Sequence, residues 1–267
     1  MKLEQAIARL APVLDEFQPG HVWLAGAGPG NAGALTLDVL SALAQADAVV
    51  YDALVDSSVL NVAPNAELHF MGKRGGRESV RQDEITAQFI ALAGLGKRVL
   101  RLKGGDPYIF GRGGEEALAL ARAGIPYRIL PGVTSAFGAM ASVGIPATMR
   151  GINKAIILAT GHAAGSPEDL DWAALAKTGQ PIVVYMGLKN LSRIVASLLE
   201  GGLNSSTPVA VVMAATTPDE RIVISNLGGI EQAALAAGIA SPALIVVGEI
   251  VSMRAELTDL AARMRSA

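Results

Sequence analysis

The spacing of apolar positions divides the chain into alternating elements. Leu3, Ile7, Leu10, Leu14 and Phe17 recur at intervals of 4, 3, 4 and 3, the narrow stripe of an amphipathic helix over 2–17 that Pro19-Gly20 ends. Short apolar runs bounded by turn residues then read as strands: His21-Val-Trp-Leu-Ala25, Ala48-Val-Val-Tyr51, Glu67-Leu-His-Phe-Met71, Arg98-Val-Leu-Arg-Leu102 and Tyr127-Arg-Ile-Leu130. Helical periods at 35–46, 54–62, 82–95, 115–123 and 136–142 lie between and after them. This alternation predicts a mostly parallel sheet. The stretch Gly144-Ile-Pro-Ala-Thr-Met-Arg-Gly151 has turn residues and no period, and reads as a boundary. Beyond it, strands at 155–160, 181–186, 208–213, 221–225 and within 241–251 alternate with helices at 170–176, 191–199, 230–237 and 254–265, with 208–213 and 221–225 forming an antiparallel hairpin. The pattern predicts an α/β protein: a helical extension over 1–20, then two successive α/β lobes, 21–148 and 149–267, with the functional site in the cleft between them.

Several strands run into glycine-rich loops, where open α/β sheets bind ligands. The fullest is Gly104-Gly105-Asp106-Pro107, continuing to Phe110-Gly-Arg-Gly-Gly-Glu-Glu116. Its glycines allow close backbone approach and positive φ, and Asp106 places a carboxylate at a strand end. The first strand enters Gly26-Ala-Gly-Pro-Gly30 and the second ends at Asp52, a layout close to the dinucleotide fingerprint. The third glycine falls one position early, however, and Pro29 lacks an N–H where a pyrophosphate wants one. On pattern alone an NAD-dependent oxidoreductase is a rival reading. Thr134 and Ser135 follow Pro131-Gly-Val, where a helix cap and a ligand contact are equally good explanations. Lys73, Arg74, Arg77 and Arg81 crowd a glycine-rich segment, which suits a solvated loop or an anionic ligand alike.

Composition narrows the classes. The chain has 267 residues, a formal charge of −2 and no cysteine, so disulfides, thiolate nucleophiles and cysteine metal sites are excluded and no global charge draws it to nucleic acid. Its histidines (His21, His69, His162) lack metal-ligand spacing, and no metal is expected. No apolar run approaches the roughly 20 residues that span a bilayer, and no signal-peptide pattern opens the chain; a cytoplasmic protein without membrane partners is expected.

The segments Gly26 to Gly30, Tyr51-Asp-Ala-Leu-Val55, Gly72-Lys-Arg-Gly-Gly76, Arg101 to Glu116, Pro131-Gly-Val-Thr134, Gly144-Ile-Pro146, Val184-Tyr-Met-Gly187, Thr216-Thr-Pro218 and Ser241 to Glu249, in this order, closely resemble the motifs of the uroporphyrinogen-III C-methyltransferases. The resemblance covers 21–252. It implies a tetrapyrrole methylase-like fold working as a homodimer, with S-adenosyl-L-methionine as cofactor and S-adenosyl-L-homocysteine as product. It implies methylation of uroporphyrinogen III, a small-molecule tetrapyrrole, at C2 and C7. Cofactor contacts carry over to Pro29, Gly104, Gly105, Asp106, Ile109, Thr134, Ser135, Met186, Ala215 and Ala243, and acid/base roles to Asp52 and Lys73. The substrate's carboxylates make Arg74, Arg77, Arg112 and Arg150 plausible partners. The chain departs from the pattern at Asn31 (usually Asp), at Met149 and Gly151 (usually His and Asp), and at Ala214-Ala215 (a pair that commonly contains glycine).

Overall fold

The computed structural model describes residues 2–72, 81–162 and 169–258. They form two compact units, 1–134 and 135–267. The division falls between Thr134 and Ser135, ahead of the 148/149 boundary expected from the turn-rich stretch, because the helix beginning at Ser135 packs on the second sheet.

The first unit carries β1 (Val22–Gly26), β2 (Ala48–Tyr51), β3 (Glu67–Phe70), β4 (Val99–Lys103) and β5 (Tyr127–Leu130). They pair in the order β3-β2-β4-β1-β5, every pair parallel, as the alternation predicted. All five residues of β1 and of β4 are buried, which explains the continuous apolar run of β1; β4 buries Arg101 and Lys103 along with its apolar residues. Trp23, Ala25, Val49, Leu100 and Leu102 face one core with α2 (Leu37–Gln45) and α3 (Ser57–Leu60). Val22, Leu24, Val50 and Val99 face the other with α4 (Gln82–Gly94) and α5 (Gly113–Arg122).

Two helices are shorter than their periods suggested. The N-terminal one is α1 (Leu3–Leu10), followed by a 3-10 turn at Ala11–Val13. Pro12 lacks the N–H that an α-turn requires, and of the expected stripe only Phe17 is buried, stacked on Trp23 at 4.1 Å. Instead of 54–62, α3 spans only Ser57–Leu60. Asp52 accepts from Leu54 N–H, and Asp56 caps the helix by accepting from Ser58 N–H. Local carboxylates thus hold the backbone in turns where a helix would have continued.

In the second unit, α6 (Ser135–Ser142) precedes β6 (Ile157–Thr160), α7 (Trp172–Lys177), β7 (Ile182–Tyr185), α8 (Leu191–Glu200), β8 (Pro208–Met213), β9 (Arg221–Asn226), α9 (Ile230–Ala236) and β10 (Ala243–Val247). Residues 253–258 are helical. The sheet order is β6-β7-β10-β8-β9. The expected β8/β9 hairpin is present, and β10 lies antiparallel between β7 and β8. Ile182, Val184, Val209, Val211, Ile245 and Val247 pack against α7, α8 and α9, while α6 packs on β10.

Candidate active site

In the first unit β4, β1 and β5 are neighbours, so their carboxyl ends bring three glycine loops side by side. Ala27 N–H donates to Lys103 O (2.7 Å), and Gly28 and Gly105 exchange backbone hydrogen bonds (3.2 and 2.6 Å). The three chains touch where they have no side chains. A Cβ on Gly26 would meet Gly105 O at 2.5 Å, and one on Gly132 would meet the same oxygen at 2.3 Å. Both distances are far inside contact. Asp106 clamps the assembly, with Oδ2 accepting from Gly132 N–H (3.1 Å) and Oδ1 from Tyr108 N–H (2.8 Å). Pro29, Gly104, Asp106 and Ile109 are half-buried on this surface, and Gly105 and Thr134 are buried in it. These six expected cofactor positions are therefore brought together.

The same geometry argues against the dinucleotide reading. A pyrophosphate site needs the glycine loop to open a helix, but here a 3-10 turn at Ala32–Ala34 intervenes and α2 starts at Leu37. The Ala27 and Gly28 N–H groups are engaged with Lys103 O and Gly105 O.

Asp52 follows β2, the next strand along. Its Oδ1 accepts from Leu54 N–H (3.1 Å) and its Oδ2 lies 3.5 Å from Arg101 Nη2. It lines an open depression of about 330 Å³ with Tyr51, Ala53, Val55, Ser57 and Phe70. Behind it lies a charged cluster within the core. Arg101, Lys103 and Glu116 are 2%, 4% and 0% exposed. Glu116 Oε1 accepts from Arg101 Nε (3.1 Å), Lys103 Nζ (3.1 Å) and Gln82 Nε2 (2.8 Å), whereas its buried Oε2 meets no donor among the described residues. Burial, and then the charge of Arg101, push the Lys103 ammonium pKa below its ordinary value. The motif segment Arg101 to Glu116 contains Arg101, Lys103 and Glu116, but the motif gives them no shared role. The signal of a cluster was present: cations at alternate positions of an otherwise apolar strand, with a following helix that opens on two acids.

The second unit assembles its own group. β10 is antiparallel to β7 and β8, so its start lies beside their ends. This gathers Met186, Ala215 and Ala243, which are distant in sequence. Ala214 N–H donates to Pro242 O (3.0 Å). Met186 is 52% exposed, and Met186, Ala214 and Thr216 have φ of 53°, 45° and 65°. Such left-handed backbone costs an L-residue about 1–2 kcal/mol and gathers where function constrains a loop. Ser135 opens α6, whose Ala136 N–H donates to the Tyr185 hydroxyl (3.1 Å).

The basic candidates fare differently. Arg112 has φ 59° ahead of α5, and Glu115 engages its guanidinium at 2.5–3.1 Å and raises its pKa through that hydrogen bond; its charge is already answered. Arg150 is exposed on a turn of the second unit. Gly151, with φ 88°, takes a conformation that only glycine and, less easily, Asn or Asp visit routinely. Lys73, Arg74 and Arg77 lie outside the described residues. Among the described residues no cluster of His, Cys, Asp or Glu could hold a metal, and no helix is long and apolar enough to cross a membrane.

This pairing of a parallel sheet bearing clustered glycine loops with a second, mixed sheet bearing strained strand ends is matched among known proteins. The family described as Tetrapyrrole (Corrin/Porphyrin) Methylases matches residues 21–231, and the chain belongs to it. It is 46% identical over 247 residues to a uroporphyrinogen-III C-methyltransferase from Sinorhizobium sp., covering 91% of this chain and 88% of that one. It is 43% identical to a siroheme synthase from Zymomonas mobilis over 96% of its length, but spans only 54% of that longer protein. A crystal structure of uroporphyrin-III C-methyl transferase from Thermus thermophilus complexed with S-adenyl homocysteine superposes with a TM-score of 0.74 at 38% identity, covering 87% of this chain and 99% of that one.

Proposed function

We propose that this protein is an S-adenosylmethionine-dependent methyltransferase that methylates uroporphyrinogen III at C2 and C7, giving precorrin-2 and S-adenosylhomocysteine. The observation that carries the reading is the 46% identity to a uroporphyrinogen-III C-methyltransferase along nearly the whole of both chains. The residues present fit the cofactor. Glycines that leave no room for a Cβ let the β1, β4 and β5 ends pack closely, with Gly104 and Gly132 half-buried at that surface, and Met186 offers an exposed, polarizable thioether for an adenine face.

S-adenosylmethionine would supply an electrophilic methyl group on a sulfonium, whose sulfur leaves as a neutral thioether. A pyrrole carbon of the substrate would provide the electron pair for the new C–C bond, the C–S pair remaining with the departing thioether. The positive charge left on the macrocycle is relieved by loss of a proton. The chain's own work is alignment, exclusion of water and proton handling. Pro29, Gly104, Gly105, Asp106, Ile109, Thr134 and Ser135, with Met186, Ala215 and Ala243, would hold the cofactor. Asp52, a carboxylate at a strand end facing an open depression, would take the released proton. Lys73 would donate one or hold a substrate carboxylate, alongside Arg74, Arg77 and Arg150. Arg112, forked to Glu115, would have to exchange that partner to join them. The same reading makes the protein a cytoplasmic homodimer, for which light scattering would give twice the 27.4 kDa chain mass.

The test is anaerobic incubation with S-adenosylmethionine and uroporphyrinogen III, followed by mass spectrometry of the product. Gain of two methyl groups by way of one is expected, and Asp52→Asn and Lys73→Ala should each lower turnover more than cofactor affinity. No methyl gain while S-adenosylhomocysteine still binds would refute the substrate. Full turnover in both variants would refute the acid/base roles.

A further inference from the structure

Arg101 stands where a buried cation is hard to justify by stability alone. Burying ions costs more than their mutual attraction commonly returns, and apolar replacements of buried pairs are often neutral or stabilising. Yet β4 places Arg101 and Lys103 on the face covered by α4 and α5, where Glu116 is the anion within reach of both. The cluster is formally neutral only when Asp52 is counted with Glu116 against the two cations.

The contacts of Arg101 show how Asp52 is tied in. The register Val50↔Arg101 sets the guanidinium beside the end of β2. Nη1 donates to Val50 O and Leu102 O (3.3 Å each), Nε to Glu116 Oε1 (3.1 Å) and Nη2 to Asp52 Oδ2 (3.5 Å). The plane of the fork is thus set by two carbonyls and a wholly buried carboxylate. Glu116 is itself held by Lys103 and by Gln82 from α4. One oxygen of Asp52 is fixed by its own turn through Leu54 N–H, and the other meets the buried guanidinium of Arg101. Only a guanidinium reaches two carboxylates and two carbonyls at once; an ammonium is a point charge without the fork.

We propose that Arg101 is a positioning residue: anchored by Glu116, it holds the Asp52 carboxylate in the orientation that proton transfer requires. The inference rests on the reading of Asp52 as the proton acceptor. Arg101 touches neither substrate nor cofactor in this role and acts entirely through Asp52.

A double-mutant cycle on the full chain tests it, with turnover read by methyl incorporation and cofactor affinity by S-adenosylhomocysteine titration. Arg101→Lys keeps the charge and loses the fork. In the wild-type background it should lower kcat roughly tenfold to a hundredfold, the range that misplacing a catalytic group by about 1 Å can reach. KM for S-adenosylmethionine and the S-adenosylhomocysteine Kd should stay within about twofold. In the Asp52→Asn background the same substitution should change kcat by less than about twofold, because residues acting through one another are not additive. Effects that multiply would overturn the proposal, since Arg101 would then act independently of Asp52. If Asp52→Asn alone turns over normally, the reading of Asp52 has failed and the proposal falls with it, a result separable from the cycle. Should Arg101→Lys not fold, Glu116→Gln, which keeps the anchor's shape and removes its charge, enters the same cycle with the same expected non-additivity, and multiplying effects there overturn it equally.

Discussion

Gly113 and Gly114 are adjacent in sequence and opposite in what surrounds them. A Cβ on Gly113 would lie 2.4 Å from Pro107 O, 2.9 Å from Pro107 C and 3.1 Å from its Cβ. That oxygen also accepts the Gly113 N–H at 3.0 Å, so it cannot turn away without losing the bond that ties the first residue of α5 to the loop. Relief needs a shift of about 1 Å in backbone, given that carbon and oxygen normally stop near 3.3 Å; overpacking of this kind costs about 1–3 kcal/mol. A Cβ on Gly114 would meet nothing within 4 Å, and in helical backbone alanine is favoured over glycine by about 0.5–1 kcal/mol. Gly113→Ala and Gly114→Ala should therefore differ by about 1.5–4 kcal/mol with opposite signs. Urea titrations read this as midpoints moving in opposite directions at similar slope. Because Pro107 follows the Asp106 clamp, Gly113→Ala should also weaken S-adenosylhomocysteine binding, while Gly114→Ala should not. Equal destabilisation by both, or a Gly113→Ala midpoint matching wild type, would refute the packing argument.

Ala214, at φ 45°, stands where glycine is at ease. Ala214→Gly should leave stability unchanged or raise it by up to about 1 kcal/mol, the relief of left-handed strain exceeding glycine's unfolded-state entropy; Ala215→Gly, without positive φ, should lower it by about 0.4–1 kcal/mol, and equal losses at both positions in thermal melts would contradict this. Asp47 accepts from Arg98 Nε (2.9 Å), Nη2 (2.6 Å) and N–H (2.9 Å), and the Arg98 side-chain bond foremost lowers its pKa. A depressed folded value means that its stabilisation is present above the unfolded pKa of about 3.9 and is lost as pH falls through the folded value. Asp47→Asn should cost about 0.5–1 kcal/mol at pH 7, near the low end because both side chains are more than a third exposed. The gap from wild type should close as pH drops below 4, and a gap independent of pH would refute the assignment.

Much was legible because the pattern along the chain is a direct image of burial. Strands covered on both faces are apolar wherever no buried partner answers a charge, so β1 and β2, and β4 apart from Arg101 and Lys103, stood out as runs. The β8/β9 hairpin could be read from two strands joined by a short polar turn. The Gly104-Gly105-Asp106-Pro107 loop advertised a strand end of unusual backbone. Local competition hid other features. The apolar period beyond Leu10 continued through Pro12, where an α-helix cannot, and the side chains of Asp52 and Asp56 took backbone donors that a longer helix would have needed.

By itself the sequence determined the elements, their α/β alternation and the family motifs, since these depend on short-range periodicity and on backbone freedom at single residues. Only the tertiary structure decided which strands are neighbours. The order β3-β2-β4-β1-β5 brings Gly26, Gly105 and Gly132 into mutual contact, and the insertion of β10 between β7 and β8 gathers Met186, Ala215 and Ala243. Only it showed that Arg101 ties Asp52 to Glu116. Strand order and charge pairing join positions far apart along the chain, and no local period records them.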